Sequence, residues 1–504
     1  MSIDADRSEN AGEQGRGGSG HGGDEPRGGE SRRMATVDLE VRPEQRSIRT
    51  GGCFRYVDFH LLVSRPQQAE SESPAKRPAL ALALVLDRSG SMQGEKLRTA
   101  KRAALSVVDR LDARDTVAVV VFDNQIETLQ VAAPATEALK AALNTRLAAV
   151  EARAMTALHE GWLSGCQALT SDETQSGERL ARCFLLTDGL ANVGLTDPEQ
   201  IAGQAAGIRE KAGIGTSTFG IGEDYSEELL GPMASAGGGT FHHLRSAGEI
   251  STTFVAELGE LLAVAAAHAR LEIEAEPGMA VEVVSGYWAA PENQQAGGPS
   301  RWSVALGDLV AGDEHHIIAR VRFPEQKGRE EQGLRARLVW MHDGAQVSTT
   351  WRELRFAYAA DAVCDAEPRD SSVALYAGQH LSDRSMREAI RMSKSGDLIG
   401  AQHMMEQSAG YVEHLSTYAP ELGEEVRRMR TTSTQLAHGP MPSAASKATY
   451  FDAQRRSQGK RDLRGGDAVG GDSSGGKAPQ PESSAGSAGA PDAAGSTGNG
   501  GTDK

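Results

Sequence analysis

Buried-strand and amphipathic-helix patterns alternate along the middle of the chain. Residues 79–86 are a continuous apolar run, which is typical of a strand buried on both faces, as in a parallel sheet. Residues 94–111 then carry apolar positions at helical spacing. Further strands are predicted at 116–122, 126–131, 180–187, 214–219 and 240–244, and further helices at 136–148, 156–169, 198–211, 226–235 and 247–267. This alternation predicts right-handed crossovers and a doubly wound, mostly parallel α/β sheet.

The segments on either side of this region show the two-residue period of half-buried strands. Residues 36–63 contain two or three such strands, and residues 269–358 contain several more, separated by glycine and proline turns. Two or three short strands do not form a stable sheet alone. We therefore expect residues 36–63 to complete an antiparallel β-sandwich with residues 269–358, so that the α/β region is inserted in the sandwich or followed by it.

The rest of the chain divides into a helical part and two polar ends. Residues 370–437 have helical periodicity and predict a small helical segment, and the basic stretch 450–463 is either a further helix or a linear interaction motif. Both ends have little to bury, so they are predicted to be disordered, and Met34 is a candidate translation start. The predicted domains are 1–34 disordered, 36–63 β strands, 79–264 α/β domain, 269–358 β-sandwich, 370–437 helical segment and 465–504 disordered tail.

Composition and charge exclude several classes of function. The net charge of −16 argues against general nucleic-acid binding, which depends on clustered positive charge. No apolar stretch approaches the ~20 residues of a membrane span, and no secretory signal is expected. The four cysteines lie far apart, which favours a reducing compartment and predicts a cytoplasmic protein. They are Cys53, Cys166, Cys183 and Cys364.

Oxygen-bearing side chains directly follow two of the buried strands. Asp87, Ser89 and Ser91 leave the first strand, and Asp188 leaves the strand at 180–187. Ligands of open α/β sheets bind at the carboxyl ends of strands, where the strand order reverses. Carboxylate and hydroxyl oxygens suit a hard cation such as magnesium. The first motif taken alone is equally compatible with ordinary capping of the next helix.

Taken together, the oxygen-bearing residues resemble the metal-ion-dependent adhesion site of the von Willebrand factor type A (VWA) family. That site consists of Asp-x-Ser-x-Ser, a distant Thr and a distant Asp, and the corresponding residues are Asp87, Ser89, Ser91, Thr156 and Asp188. The resemblance covers residues 79–264, and the text around Asp188 is similar to that of bacterial cytoplasmic members. Ala154-Met155 stands before the threonine, where many relatives carry glycines.

The resemblance implies a role for each of these residues. Ser89, Ser91 and Thr156 would ligate Mg²⁺ or Mn²⁺ directly or nearly so, whereas Asp87 and Asp188 would act largely through water or by exchange. Helices beside the site would shift with ligand occupancy. A cation held in this way with one open position binds an acidic group, because a carboxylate can displace a bound water.

The predicted function is therefore a metal-dependent protein–protein interaction module within a larger complex, and not an enzyme. The partner would present Asp or Glu. A serine nucleophile would need a partnered base and an oxyanion hole, and residues 87–91 do not form a Gly-x-Ser-x-Gly elbow. The alternatives are a metal-dependent hydrolase and a metal-free scaffold.

Two histidine pairs, His242-His243 and His315-His316, could suggest further metal sites. Each pair lies in a predicted strand, where adjacent side chains point to opposite faces. Neither pair is therefore expected to chelate an ion through both imidazoles.

Overall fold

The structure is a computed structural model that describes residues 36–64, 79–153, 155–170, 179–292, 298–328, 330–342 and 345–459. The predicted disorder at both ends and the candidate start at Met34 lie outside the described residues.

The helices and strands follow the predicted order. The first strands are β1 (Val37–Pro43), β2 (Ser47–Arg49) and β3 (Cys53–Val63). The α/β region comprises β4 (Ala79–Asp87), α1 (Glu95–Arg110), β5 (Thr116–Phe122), β6 (Ile126–Pro134), α2 (Glu137–Ala148), α3 (Leu158–Thr170), β7 (Arg179–Thr187), α4 (Pro198–Ala212), β8 (Ile214–Ile221), α5 (Glu227–Ala236), β9 (Gly238–Leu244) and α6 (Ile250–Leu262). After it come β10 (Val264–Ala275), β11 (Ala280–Val283), β12 (Trp288–Pro291), β13 (Ser300–Val310), β14 (Glu314–Phe323), β15 (Glu331–His342), β16 (Ala345–Ser348) and β17 (Arg352–Ala359). The last helices are α7 (Asp361–Ala366), α8 (Ser371–Lys394), α9 (Leu398–Ser416), α10 (Gly423–His438) and α11 (Ser443–Ser457).

The α/β region forms one six-stranded sheet in the order β6-β5-β4-β7-β8-β9. Its strands are parallel except for β6, which pairs antiparallel with β5 at one edge. Every residue of β5 and all but the first residue of β4 are buried, which explains their continuous apolar runs. After β4 the chain continues toward one edge of the sheet, and after β7 it continues toward the other. The strand order therefore reverses between β4 and β7.

Strands from both sides of the α/β region share two sheets, which are antiparallel except for the parallel pairing of β2 with β17. β3 pairs with β14 from Leu62 opposite Glu314 to Cys53 opposite Phe323, in a sheet of order β1-β3-β14-β11. β2 pairs with β17 at the edge of a second sheet of order β12-β13-β10-β15-β17-β2. Apolar side chains of both sheets form one core. The predicted fold class, a doubly wound, mostly parallel sheet with an antiparallel β-sandwich and a C-terminal helical segment, is confirmed. Of the two arrangements left open by the sequence, the strand pairing shows the insertion.

The prediction of one closing helix over 247–267 is wrong at both of its ends. A 3₁₀ turn covers Ala247–Glu249, α6 ends at Leu262, and β10 begins at Val264. The alanine-rich stretch 263–267 favours a helix by local propensity. Pairing of β10 with β13 and β15 overrides this preference, because the strand fills the centre of the second sheet.

The basic stretch after residue 450 belongs to a helix, which is the first of its two predicted alternatives. Helix α11 packs against α8 and α5 and buries Tyr450 and Phe451. Residues 460–463 of the stretch lie outside the described part of the chain. The C-terminal helices thus contact the α/β region as well as the β-sandwich.

One buried carboxylate joins three of these helices. Glu227 at the start of α5 is 0% exposed, and it accepts hydrogen bonds from Lys394 of α8 at 2.5 Å and Lys447 of α11 at 2.7 Å. Burial alone would raise the pKa of Glu227, but the bonds from the two ammonium groups outweigh it and hold this pKa below its usual value.

We expect Glu227→Gln to lower the free energy of unfolding by about 3 kcal/mol, because it leaves two ammonium groups without their shared carboxylate. The surface pair of Glu424 with Arg427 provides the control, since Glu424 is 87% exposed. Glu424→Gln should change stability by less than about 1 kcal/mol. Urea unfolding followed by circular dichroism measures both, and equal effects of the two variants would contradict the assigned role of Glu227.

Candidate functional site

Four of the five predicted site residues are joined by a chain of hydrogen bonds. Asp87 is the last residue of β4, and its Oδ1 accepts from the backbone N–H of Ser89 at 2.7 Å. The Oγ atoms of Ser89 and Ser91 lie 3.0 Å apart. Ser91 in turn donates to Oδ1 of Asp188, directly after β7, at 2.7 Å. The carboxyl ends of the two strands at which the order reverses thus meet through these side chains.

Thr156 reaches the same place from the loop before α3. Its side chain is almost fully buried, and its backbone N–H donates to Oδ1 of Asn192 at 3.0 Å. A methyl group added at Gly189 would lie 3.4 Å from Oγ1 of Thr156 and 3.5 Å from Oγ of Ser91. The two hydroxyl groups therefore face one small space beside Gly189. The sequence did not indicate a role for Asn192, because that role depends on how two loops meet.

Asp87 is a fully buried carboxyl group with protein donors on both oxygens. Its Oδ2 accepts from Oγ1 of Thr187 at 2.6 Å, in addition to the bond from Ser89. Burial raises the pKa of Asp87 to about 6, although the hydrogen bonds from Thr187 and Ser89 oppose that change. This arrangement favours an indirect role for Asp87, in which it orients the loop that carries the two serines.

Lys96 of α1 is a neighbour of the site that sequence reasoning missed. Its Nζ lies 2.5 Å from Oδ2 of the fully buried Asp188. The Lys96 side chain keeps 32% of its surface exposed, so it can leave this position for solvent. The ammonium group competes with any cation that approaches Asp188. The only signal in the sequence is its place in the first turn of the helix that follows the serine motif.

Asp123 is a second residue that was missed, and it connects the loops of the site. It directly follows β5, is fully buried, and its Oδ2 accepts from Nε of Arg88 at 3.0 Å and of Arg153 at 2.9 Å. Its backbone carbonyl accepts from the N–H of Ala157 at 2.8 Å. Asp123 therefore positions the loop after β4 against the loop that carries Thr156. The criterion that selected Asp87, an acid directly after a buried strand, would have found it.

The donor set fits a hard divalent cation. Hydroxyl and carboxylate oxygens are the ligands that Mg²⁺ and Mn²⁺ prefer, and Gly189 leaves room beside two of the hydroxyls. Ser91 is exposed while the other four predicted residues are buried, so the site opens to solvent on the side of Ser91. Two large apolar side chains, Met155 and Leu190, are 52% and 56% exposed next to Thr156 and Gly189.

The histidine pair of the α/β region, His242 and His243, has protein partners. His242 lies 2.8 Å from Glu257, and Nδ1 of His243 lies 2.6 Å from the hydroxyl of Tyr225. The two rings thus contact different groups, in keeping with their adjacent positions in β9.

Comparison with known proteins identifies the family of the α/β region. Residues 81–256 match the von Willebrand factor type A domain. Two curated relatives are both uncharacterized proteins: sll0103 of Synechocystis, 28% identical over 290 residues (56% of this chain and 65% of that protein), and YfbK of Escherichia coli, 27% identical over 288 residues (54% and 49%). The chain thus matches less than two thirds of the length of either relative.

A solved structure shows that the similarity of fold extends beyond the matched domain. The von Willebrand factor type A protein from Catenulispora acidiphila superimposes with a TM-score of 0.64 and 17% sequence identity, covering 84% of this chain and 97% of the other. Residues 81–256 therefore contain a region that matches the VWA family, and the fold around this region is similar to that of a VWA protein. Domains of this family commonly mediate metal-dependent protein–protein interactions. Within the described ranges, no helix has the length and apolar character that crossing a bilayer requires.

We expect Gly189→Ala to weaken Mn²⁺ binding by roughly tenfold, or about 1.4 kcal/mol, because the added methyl group occupies the space between two hydroxyls. The contacts at 3.4 Å and 3.5 Å are ordinary van der Waals distances, so the variant should fold. Gly203→Ala on α4 is the matched control, since nothing lies within 4 Å of its added methyl group. Calorimetric titration measures both, and equal affinities would show that the ion does not use this space.

Proposed function

We propose that this protein is a metal-dependent protein–protein interaction module. A divalent cation, Mg²⁺ or Mn²⁺, is held at the carboxyl ends of β4 and β7 and binds an Asp or Glu side chain of a protein partner. The proposed metal-site residues are Asp87, Ser89, Ser91, Thr156 and Asp188. The observation that carries the proposal is the hydrogen-bonded set of oxygens at the point where the strand order reverses.

Each of these side chains has a distinct task in the proposed site. The hydroxyls of Ser89, Ser91 and Thr156 offer neutral oxygens, so they leave the ion most of its positive charge. Asp188 lies behind Ser91 and accepts its hydrogen at 2.7 Å, which turns the lone pairs of Oγ away from the carboxylate. When bound, the ion supplies the positive charge that attracts the carboxylate of the partner.

The surroundings of the site support a protein as the partner. Met155 and Leu190 place exposed apolar surface beside the polar centre. Protein interfaces combine a buried apolar area with a few specific polar contacts. A partner loop with an acidic residue and apolar neighbours would match both features. The identity of this partner is open, and we propose that the interaction takes place in the cytoplasm within a larger complex.

The contacts of the two serines favour binding over catalysis. Ser89 is bonded to Ser91, and Ser91 donates to Asp188. Asp188 is in turn ion-paired with Lys96, so its carboxylate is already engaged by a hydroxyl and an ammonium group. A metal-dependent hydrolase and a metal-free scaffold are the competing functions.

We expect Asp188→Ala to abolish Mn²⁺ binding while the fold is retained, because the residue lies at the end of a strand rather than within it. Asp87→Ala should have the same effect through loss of the ordered serine loop. Asp109→Ala, at an exposed position of α1, is the control and should bind as the wild type does. Titration calorimetry with Mn²⁺ and circular dichroism measure binding and fold.

Affinity purification with the same variants separates the three functions. Capture that requires Mg²⁺ or Mn²⁺, and that is lost with EDTA or Asp188→Ala, supports the proposed module. Capture that survives both treatments would instead show a metal-free scaffold. Metal-dependent turnover of generic phosphoester or peptide substrates that disappears in Asp188→Ala would establish a hydrolase.

We expect Lys96→Met to raise Mn²⁺ affinity several-fold. Removing the ammonium group removes a competitor for Asp188 and about 1 kcal/mol of repulsion between like charges near the ion. Lys211→Met, at an exposed position near the end of α4, is the control for the change in net charge. An unchanged affinity in Lys96→Met would mean that the ion does not approach Asp188.

A further inference from the structure

A second group of metal-binding side chains lies on the β-sandwich, outside the VWA domain. His60 of β3 is directly opposite His316 of β14 in the strand register, and Glu314 lies two residues before His316 on the same face. One potential ligand atom from each of the three residues lies within 4.8 Å of the other two. Two imidazoles and one carboxylate form a donor set that differs in chemistry from the oxygen ligands of the VWA site.

His316 has a carboxylate behind its ring, as metal-ligating histidines typically do. Its Nδ1 lies 2.9 Å from Oδ2 of the fully buried Asp58. Because an ionised carboxylate only accepts, Nδ1 carries the hydrogen and Nε2 keeps its lone pair. Nε2 is buried, and among the described residues it has no hydrogen-bond partner. A carboxylate behind a histidine whose other nitrogen is free is the arrangement that orients metal-ligating histidines.

The ring of His316 is also held in place by its neighbours. It stacks on His60, with centroids 4.5 Å apart and an interplanar angle of 4°, and on Tyr376 of α8, with centroids 3.4 Å apart. The adjacent His315 points to the other face of the sheet, where its Nδ1 meets the hydroxyl of Tyr287 at 2.9 Å. As the sequence indicated, His315 and His316 therefore do not face the same ion. His316 instead lies beside His60 on another strand.

His60 has to change its tautomer before it can bind an ion. Its Nε2 lies 2.7 Å from Oε1 of Glu314, and its Nδ1 lies 2.5 Å from Nη2 of Arg42. Since Arg42 can only donate, Nδ1 accepts and Nε2 carries the hydrogen that Glu314 receives. This bond to His60 is the main cause that lowers the pKa of Glu314. With an ion bound, Nδ1 would carry the hydrogen and could turn to Glu40, whose Oε2 is 3.8 Å away.

We propose that His60, Glu314 and His316 form a second cation site that takes a zinc-type divalent ion. Zinc binds imidazole nitrogen and carboxylate oxygen, and three protein ligands leave one position for water. Glu314 is 55% exposed, so this fourth position faces solvent. Because the ring of His316 is held in place, the ring of His60 would rotate on binding so that its Nε2 also points at the ion.

The proposed ion would connect strands that lie far apart in the sequence. β3 precedes the VWA domain and β14 follows it, and His60 and Glu314 are separated by 254 residues. An ion bound at this position would therefore cross-link the two parts of the split β-sandwich. This role is independent of partner binding at the VWA site.

Zinc titration of the full chain against a chromophoric competitor tests the proposal, with Asp188→Ala as the background so that the VWA site does not contribute. The expected result is one equivalent of bound Zn²⁺. The affinity for this ion should fall by about 100-fold or more in His60→Ala and in His316→Ala. Asp58→Asn should retain one equivalent with roughly 10- to 100-fold weaker affinity, because it changes only the residue behind His316. His403→Ala, at an exposed position of α9, is the control.

Zinc affinity that is the same in His60→Ala, His316→Ala and His403→Ala would overturn the proposal. If His316→Ala fails to fold by circular dichroism, Glu314→Gln decides in its place, because Glu314 is largely exposed. In a chain with Asp188 intact, His60→Ala should still bind Mn²⁺ as the wild type does. Failure of the zinc site is thereby distinguished from failure of the VWA site.

Discussion

The parallel pairing of β4 with β7 is the contact on which the rest of the site depends. The two strands are paired as far as Leu86 and Leu186, so the residues that follow them emerge side by side. Because the chain runs to opposite edges of the sheet after β4 and after β7, both carboxyl ends open into one crevice. The apolar strands create the position, and the polar residues directly after them supply its chemistry.

The two carboxylates of this crevice differ from the other buried carboxylates in the positive charge that surrounds them. Glu227 is held by two lysines, Asp123 by two arginines, and Asp383 by Arg428 and Arg456. Each of these groups connects different elements of the fold, and without its cations each would be an uncompensated buried charge. Asp87, by contrast, accepts from neutral donors, and the one cation paired with Asp188 among the described residues is Lys96, which is about one third exposed. A divalent cation would supply the positive charge that the other carboxylates receive from side chains.

The site was predictable from the sequence to the extent that its residues are local to strand ends. Asp87, Ser89 and Ser91 lie within five positions of each other, and Asp188 follows a strand of the same type, so pattern and resemblance were enough to select them. Their role as metal ligands remains a proposal. Lys96 was missed because its importance comes from a tertiary contact between α1 and the residue after β7, whereas Asp123 follows a buried strand and the same criterion could have selected it. The closing helix was predicted too long because alanine propensity at 263–267 is weaker than the strand pairing that replaces it.

The sequence by itself determined the order and type of most elements and the oxygen-rich strand ends. Most of these features follow from hydrophobic periodicity, because the period indicates the faces that a segment must bury. Tertiary structure alone decided which strands pair across the insertion, and with that the meeting of His60 with His316. It also decided that α11 closes over α5 through Lys447 and Glu227. Strand register and helix docking depend on contacts between residues hundreds of positions apart, and no local pattern records them.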